Sequence, residues 1–217
     1  MESILKQKLF DKGYISFHLK DLDETLYNKL VEAFPLDELV PENFNNLRTS
    51  IIELKRKSPY PDTHLSLPFE ELEVIKYDIL NNVVDNVNNS LDQIWYFSYP
   101  NIETNAFDNI LKPLVNKFYD YKMEGAQSEI TMYNDGCFLK NHQDAVNDIK
   151  DRGHCVVLIY LSTDYEKGKG GELVIGNEMI VEPTFGNVAI MDFTKHNPYH
   201  AVNEVKGYNR FCYINFC

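Results

Sequence analysis

Apolar positions repeat at helical spacing along the first half of the chain and alternate along the second. From about residue 20 to 120 the period is helical. Leu22, Leu26, Leu30, Val31 and Phe34 fall on one face, with Asp21 or Asp23 placed to cap the start. A second stripe, Leu72, Ile75, Ile79 and Val83, predicts a helix from Pro68 to about Val87. A third runs through Phe107, Ile110, Leu111, Leu114, Val115 and Phe118, where Pro113 requires a kink or a helix start close by. Stripes of this kind predict faces turned to a core.

From about residue 127 short strands take over: 127–133, 137–142, 154–161, 171–175, 187–193, 199–202 and 210–216. Turn signals separate them, among them Asn134-Asp135-Gly136, the loop at Gly168 to Gly171, Gly176-Asn177, and Lys206-Gly207-Tyr208. Residues 13–19 predict one further edge strand. Seven closely spaced strands point to a sandwich or jelly roll. No linker rich in Pro, Gly or Ser divides the halves, so the reading is one α+β domain. Residues 1–126 form helical support with a possible edge strand, and residues 127–217 form the strand-rich core.

Length and composition narrow the class. The chain has 217 residues, and 44% are hydrophobic, enough for a sizeable core. The longest pure apolar run, Cys155 to Leu161, is far too short to span a membrane. The first residues lack the uninterrupted apolar core of a signal peptide. Cys137, Cys155, Cys212 and Cys217 form no C-x-x-C pair, which fits reduced thiols. The expectation is a cytoplasmic protein without a membrane partner. A formal charge of −12, with only four arginines, also argues against a nucleic-acid partner.

Four of the six histidines, His142, His154, His196 and His200, lie in the strand-rich half. On a strand, residues i and i+2 share a face, so His142 and Asp144 could present an imidazole and a carboxylate together. A distant histidine would complete a two-histidine, one-carboxylate facial triad suited to iron(II) with open positions. Taken alone, an H-x-D match is weak, and a surface pair flanking a turn explains it equally well.

The surrounding motifs carry more. They are Tyr133-Asn-Asp-Gly-Cys-Phe-Leu-Lys-Asn-His142-Gln-Asp144, the strand ending Ile159-Tyr160-Leu161, and Gly170-Gly171-Glu172-Leu173. Pro183-Thr-Phe-Gly186 follows, with Phe193 closing its strand. Last comes His200-Ala-Val202-Asn-Glu-Val205-Lys-Gly207-Tyr-Asn-Arg210. In that order, residues 127–217 resemble the 2-oxoglutarate and iron(II)-dependent oxygenases, in their prolyl-4-hydroxylase-like branch.

The resemblance implies a double-stranded β-helix (jelly roll) core. It implies His142, Asp144 and His200 as metal ligands, and Arg210, Tyr160 and Tyr133 as residues around 2-oxoglutarate. His200 matches the second histidine better than His196, because Arg210 follows it by ten residues. The implied activity is hydroxylation of a C–H bond using iron(II), 2-oxoglutarate and O2, with succinate and CO2 released and ascorbate stimulating. The implied substrate is a prolyl residue in a peptide or protein, with a free amino acid or other small metabolite as the alternative.

Arg210 has a physical rationale as well. The 5-carboxylate of 2-oxoglutarate needs a fixed cation, and a guanidinium binds a carboxylate bidentately. Arg210 opens a strand otherwise made of Phe, Cys, Tyr, Ile, Asn and Phe. Phe193 and Val202 are expected in the pocket wall. Loop 143–153, with Asp144, Asp148, Lys150, Asp151 and Arg152, is expected at the substrate mouth. Trp95, Tyr96 and Tyr99 are read as core or as contacts for a proline ring. Glycines 170 and 171 are read as backbone devices without a chemical role.

Two departures refine the branch. Phe211-Cys212 follows the arginine, so the R-x-S signature of isopenicillin-synthase-like enzymes is absent. A carboxylate occupies position 144, where related halogenases have a small residue. A β-helix module that binds a metal or ligand without catalysis is the competing reading from another class.

Overall fold

The computed structural model describes residues 1–51, 65–85, 91–98, 105–120, 126–144 and 154–217. The N-terminal half begins with α1 (Glu2–Lys12), β1 (Tyr14–His18), α2 (Leu19–Leu22) and α3 (Glu24–Ala33). It continues with β2 (Asn46–Ile51), β3 (Leu65–Ser66), α4 (Phe69–Asp85), β4 (Leu91–Ser98) and α5 (Lys112–Val115). Among the described residues the C-terminal half has only strands as regular elements: β5 (Gln127–Tyr133), β6 (Phe138–His142), β7 (Cys155–Tyr160) and β8 (Leu173–Ile175), then β9 (Met179–Val181), β10 (Asn187–Asp192), β11 (His200–Val202) and β12 (Arg210–Phe216).

The helix signals act as the chemistry requires. Asp23 Oδ1 accepts the Leu26 backbone N–H at 3.0 Å, capping α3, and Leu26 and Leu30 turn inward with Phe34. Val31, expected on that face, is exposed instead, because it falls between the buried positions rather than in line with them. Pro113 leaves its mark before α5. Residues Phe107–Leu111 wind as a π-helix, and the proline sits in the first turn of Lys112–Val115. A proline lacks the donor for the preceding turn and crowds the carbonyl four residues back, so widening that turn relieves the clash.

The strands join in one sheet in the order β1-β10-β7-β12-β5-β4-β6-β11-β8-β9, with β2 on the far edge of β4 and β3 paired to β2. The pairings between these strands are antiparallel. β4 is the hinge of this arrangement. Along one edge it pairs with β5 through Tyr96–Ser98 and with β6 through Gln93 and Ile94. The sheet therefore folds over at β4 into a nearly closed jelly-roll barrel.

Among the described residues four strands thus come from the N-terminal half, where the sequence pattern predicted one. β4 was hidden because both of its faces are covered. Ile94 and Tyr96 point one way into the core, and Gln93, Trp95 and Phe97 point the other way into a cavity, which erases the polar alternation. β9 also escaped the pattern: the Gly176-Asn177 turn was legible, but a three-residue return strand carries no period.

Strand alternation on β12 separates two jobs. Arg210, Ile214 and Phe216 line the barrel cavity, while Phe211 and Tyr213 face outward. The outer face is covered by the N-terminal half. Phe34 packs on Tyr213 with ring centroids 5.1 Å apart, and Phe44 packs on Phe211 at 5.5 Å. Among the described residues, no helix is long and apolar enough to cross a membrane.

Candidate metal and cosubstrate site

The barrel interior is a cavity of about 750 Å³, within the usual range for a small-molecule site. Its wall holds three groups that converge. β6 ends on His142 and β11 begins on His200, and the two are direct cross-strand partners. Their rings lie 4.3 Å apart between centroids. Asp144, two residues past His142, reaches back with one carboxylate oxygen 3.5 Å from His142 Nε2 and the other 3.8 Å from His200 Nε2. One ligand atom from each of the three falls within 4.8 Å of the others.

The histidines are oriented by backbone. His142 Nδ1 lies 2.9 Å from the Lys140 carbonyl, and His200 Nδ1 lies 3.1 Å from the Pro198 carbonyl. A carbonyl only accepts, so each Nδ1 carries a proton and each Nε2 is the nitrogen turned toward the third group, able to bind a metal in the neutral ring. Burial lowers the His200 pKa and favours that neutral form. Burial would also lower that of His142, but the bond to Asp144, the Lys140 carbonyl and the carboxylate charge turn the net shift upward. Two neutral imidazoles and a carboxylate suit a divalent first-row metal, and iron(II) fits this set.

Deeper in the same cavity lies a buried cation. Arg210 is 1% exposed, and its Nε donates to the Gly171 carbonyl at 2.7 Å. Its Nη2 donates to the Tyr160 hydroxyl at 3.4 Å. The guanidinium carbon stands 4.8 Å from the Tyr133 ring centroid and 5.0 Å from that of Tyr160. Among the described residues no carboxylate forms an ion pair with it. Burial pushes the Tyr160 and Tyr133 hydroxyls above the ordinary phenol range, so both stay protonated donors. A desolvated guanidinium with phenols beside it and no carboxylate bonded to it is a receptor for an anion.

The sequence-predicted residues are distributed as follows. His142, Asp144 and His200 come together, and Tyr133, Arg210 and Val202 line the same cavity, with Tyr160 bonded to Arg210. Phe193 is buried in the core but does not line the cavity. His196 is exposed, with Nε2 against the Phe10 carbonyl. Tyr96 is core, bonded to Glu73, whereas Trp95 lines the cavity and stacks on Tyr133 at 6.0 Å. Tyr99, Asp148, Lys150, Asp151 and Arg152 lie outside the described residues.

Two residues escaped the sequence reading. Gly171, taken only as a turn device, supplies the carbonyl that aims Arg210. A Cβ there would stand 3.1 Å from the arginine Cδ. Arg48 enters the cavity from β2, a strand the pattern did not reveal. Its rarity among four arginines was the one available signal.

Comparison with known proteins agrees with this picture. Residues 128–217 match the 2OG-Fe(II) oxygenase superfamily. No curated protein matches the chain. Among solved structures, the chain is similar to a Pseudomonas putida prolyl-4-hydroxylase at 13% identity and a TM-score of 0.54, covering 100% of this chain and 97% of that one. It is also similar to an oxidoreductase of the 2OG-Fe(II) oxygenase family from Burkholderia pseudomallei at 16% identity and a TM-score of 0.52, covering 100% and 89%. At such identities the likeness speaks to the fold.

Proposed function

We propose, from the premise that residues 128–217 carry the 2OG-Fe(II) oxygenase domain, that this chain hydroxylates a C–H bond of a prolyl residue in a peptide or protein. The observation that carries the reading is the shared cavity. A convergent His142–Asp144–His200 set and a buried Arg210, with no ion pair among the described residues, face the same interior. In this reading His142, Asp144 and His200 hold iron(II). Iron(II) with 2-oxoglutarate supplies the oxidation of the substrate C–H by O2, with succinate and CO2 as co-products.

The chain's own residues bind, orient and exclude water. Arg210 takes the 5-carboxylate of 2-oxoglutarate, and the protonated Tyr160 hydroxyl donates to it. Tyr133 holds the guanidinium from its face, and its hydroxyl is a further donor toward the cosubstrate. Leu139, Val156, Leu158 and Val202 make the wall apolar, which strengthens each of these charged contacts. Ascorbate is proposed as a stimulant that keeps the metal reduced.

The test is succinate release over proline-containing peptides and free amino acids, with iron(II) and 2-oxoglutarate supplied. A response to prolyl peptides, abolished by His200→Ala, is expected. A response to free amino acids alone would move the substrate class to small metabolites. Persistent turnover in His200→Ala would overturn the ligand assignment.

A further inference from the structure

The cavity holds a second guanidinium, and its setting differs from that of Arg210. Arg48 on β2 is directly opposite Trp95 on β4. Continuing the β4–β5 register places Trp95 opposite Tyr133, and Tyr133 is the partner of Arg210 on β12. Four side chains on four neighbouring strands therefore form one row across the barrel floor. Arg48 stands 5.4 Å from the Trp95 ring, Trp95 and Tyr133 stack at 6.0 Å with planes 5° apart, and Arg210 closes the row at 4.8 Å.

The row has a cation at each end and two aromatic rings between. Arg210, fully buried with Tyr160 beside it, is the end suited to a small dianion held deep in the barrel. Arg48 is half-buried and has neutral neighbours in the cavity wall, Asn46 and Gln93. Among the described residues it makes no ion pair. The other carboxylates in the wall are committed or distant. Asp144 faces the two histidines, and Glu129 lies four residues from Tyr133 along β5, roughly 13 Å at the rise of a strand. A stacked guanidinium is held in place by the ring beneath it while its N–H edge stays open to a ligand.

We propose that Arg48 is a substrate-anchoring residue and that the substrate presents a carboxylate to it. This rests on the oxygenase reading and narrows its substrate class to prolyl compounds bearing an acid group near the reacting ring. A chain of formal charge −12 repels such a group at long range, so recognition requires a local cation held in place.

The chain's one tryptophan reports on this contact directly, because Trp95 is the ring under Arg48. The experiment titrates matched probes against the iron- and 2-oxoglutarate-loaded protein and reads Trp95 fluorescence and succinate release. One pair is N-acetylproline and its amide, for a terminal carboxylate. The other is a blocked prolyl peptide carrying Glu or Gln beside the proline, for a side-chain carboxylate. At least tenfold tighter binding of the acid in one pair is expected, and the winning pair names the source. Arg48→Gln should erase the acid–amide difference, and Arg48→Lys should keep part of it.

Equal behaviour of acid and amide in both pairs, including no response to any probe, would overturn the proposal. So would an acid preference that survives in Arg48→Gln. The visible charge-transfer band of the iron(II)–2-oxoglutarate complex separates this from the broader reading. If Arg48 is wrong the band forms normally in the wild type, whereas absence of the band there counts against the oxygenase itself.

Discussion

Arg210 shows how one side chain acquires a task from its surroundings. Its nonpolar stem is enclosed, its Nε is fixed by a backbone carbonyl, and its faces are covered by two phenol rings. The remaining N–H groups are desolvated and await an acceptor. A hydrogen bond to a charged group contributes about 1.5–3 kcal/mol, so removing the guanidinium should raise the half-saturating 2-oxoglutarate concentration by about tenfold to a hundredfold or more. Arg210→Gln, followed by 2-oxoglutarate titration of succinate release, checks this; an unchanged requirement would remove the role from Arg210. The residue was legible because an arginine in an apolar strand of an arginine-poor chain is conspicuous. Arg48 was not, since its significance depends on which ring lies opposite, and register between strands far apart in sequence leaves no local pattern.

At the scale of elements, the turn into β8 sets the arginine. Gly170 and Gly171 adopt φ of +73° and +79°, a region that L side chains enter at a cost of about 1–2 kcal/mol. A methyl at 171 would also meet the Tyr208 hydroxyl at 2.3 Å and the Arg210 stem. Gly171→Ala should therefore lower the denaturation midpoint and weaken 2-oxoglutarate binding together. Gly168→Ala, at φ +93° with open space around it, should lose stability with little change in binding. If both variants bind 2-oxoglutarate like wild type, the turn does not position Arg210. Most C-terminal strands were readable to within a residue or two, because glycine turns and alternation bracket them. β12 is the clearest case at 210–216. The strands of the other half were less readable: β4 is covered on both faces, which overrides its period, and β2 is mostly polar (Asn46, Arg48, Thr49, Ser50), so no apolar stripe announces it.

At the scale of the molecule, the N-terminal half is both buttress and wall. It packs on the outside of the barrel, with Phe34 on Tyr213 of β12 and Tyr119 bonded to Asp192 of β10, and its strands β2 and β4 complete the cavity lining. Phe34 is the seam between the parts, 2% exposed and packed on Tyr213. Phe34→Ala should cost about 3–5 kcal/mol in chemical denaturation, with the m-value unchanged, as expected for a cavity left in a close-packed core. A cost below about 1 kcal/mol would mean that the helices are only loosely docked on the barrel. The fold class was legible from the strand count and turn spacing. The enclosure of the site by both halves was not, since closure depends on β4 switching partners midway along its length.

The two histidine tethers carry an evolutionary implication. Each ring is steered by a main-chain carbonyl two residues upstream, from Lys140 and from Pro198. A carbonyl is present whatever side chain occupies the position, so substitution at Lys140 cannot delete the steering group. The geometry of the triad is in this respect insulated from substitution at the residues that steer it.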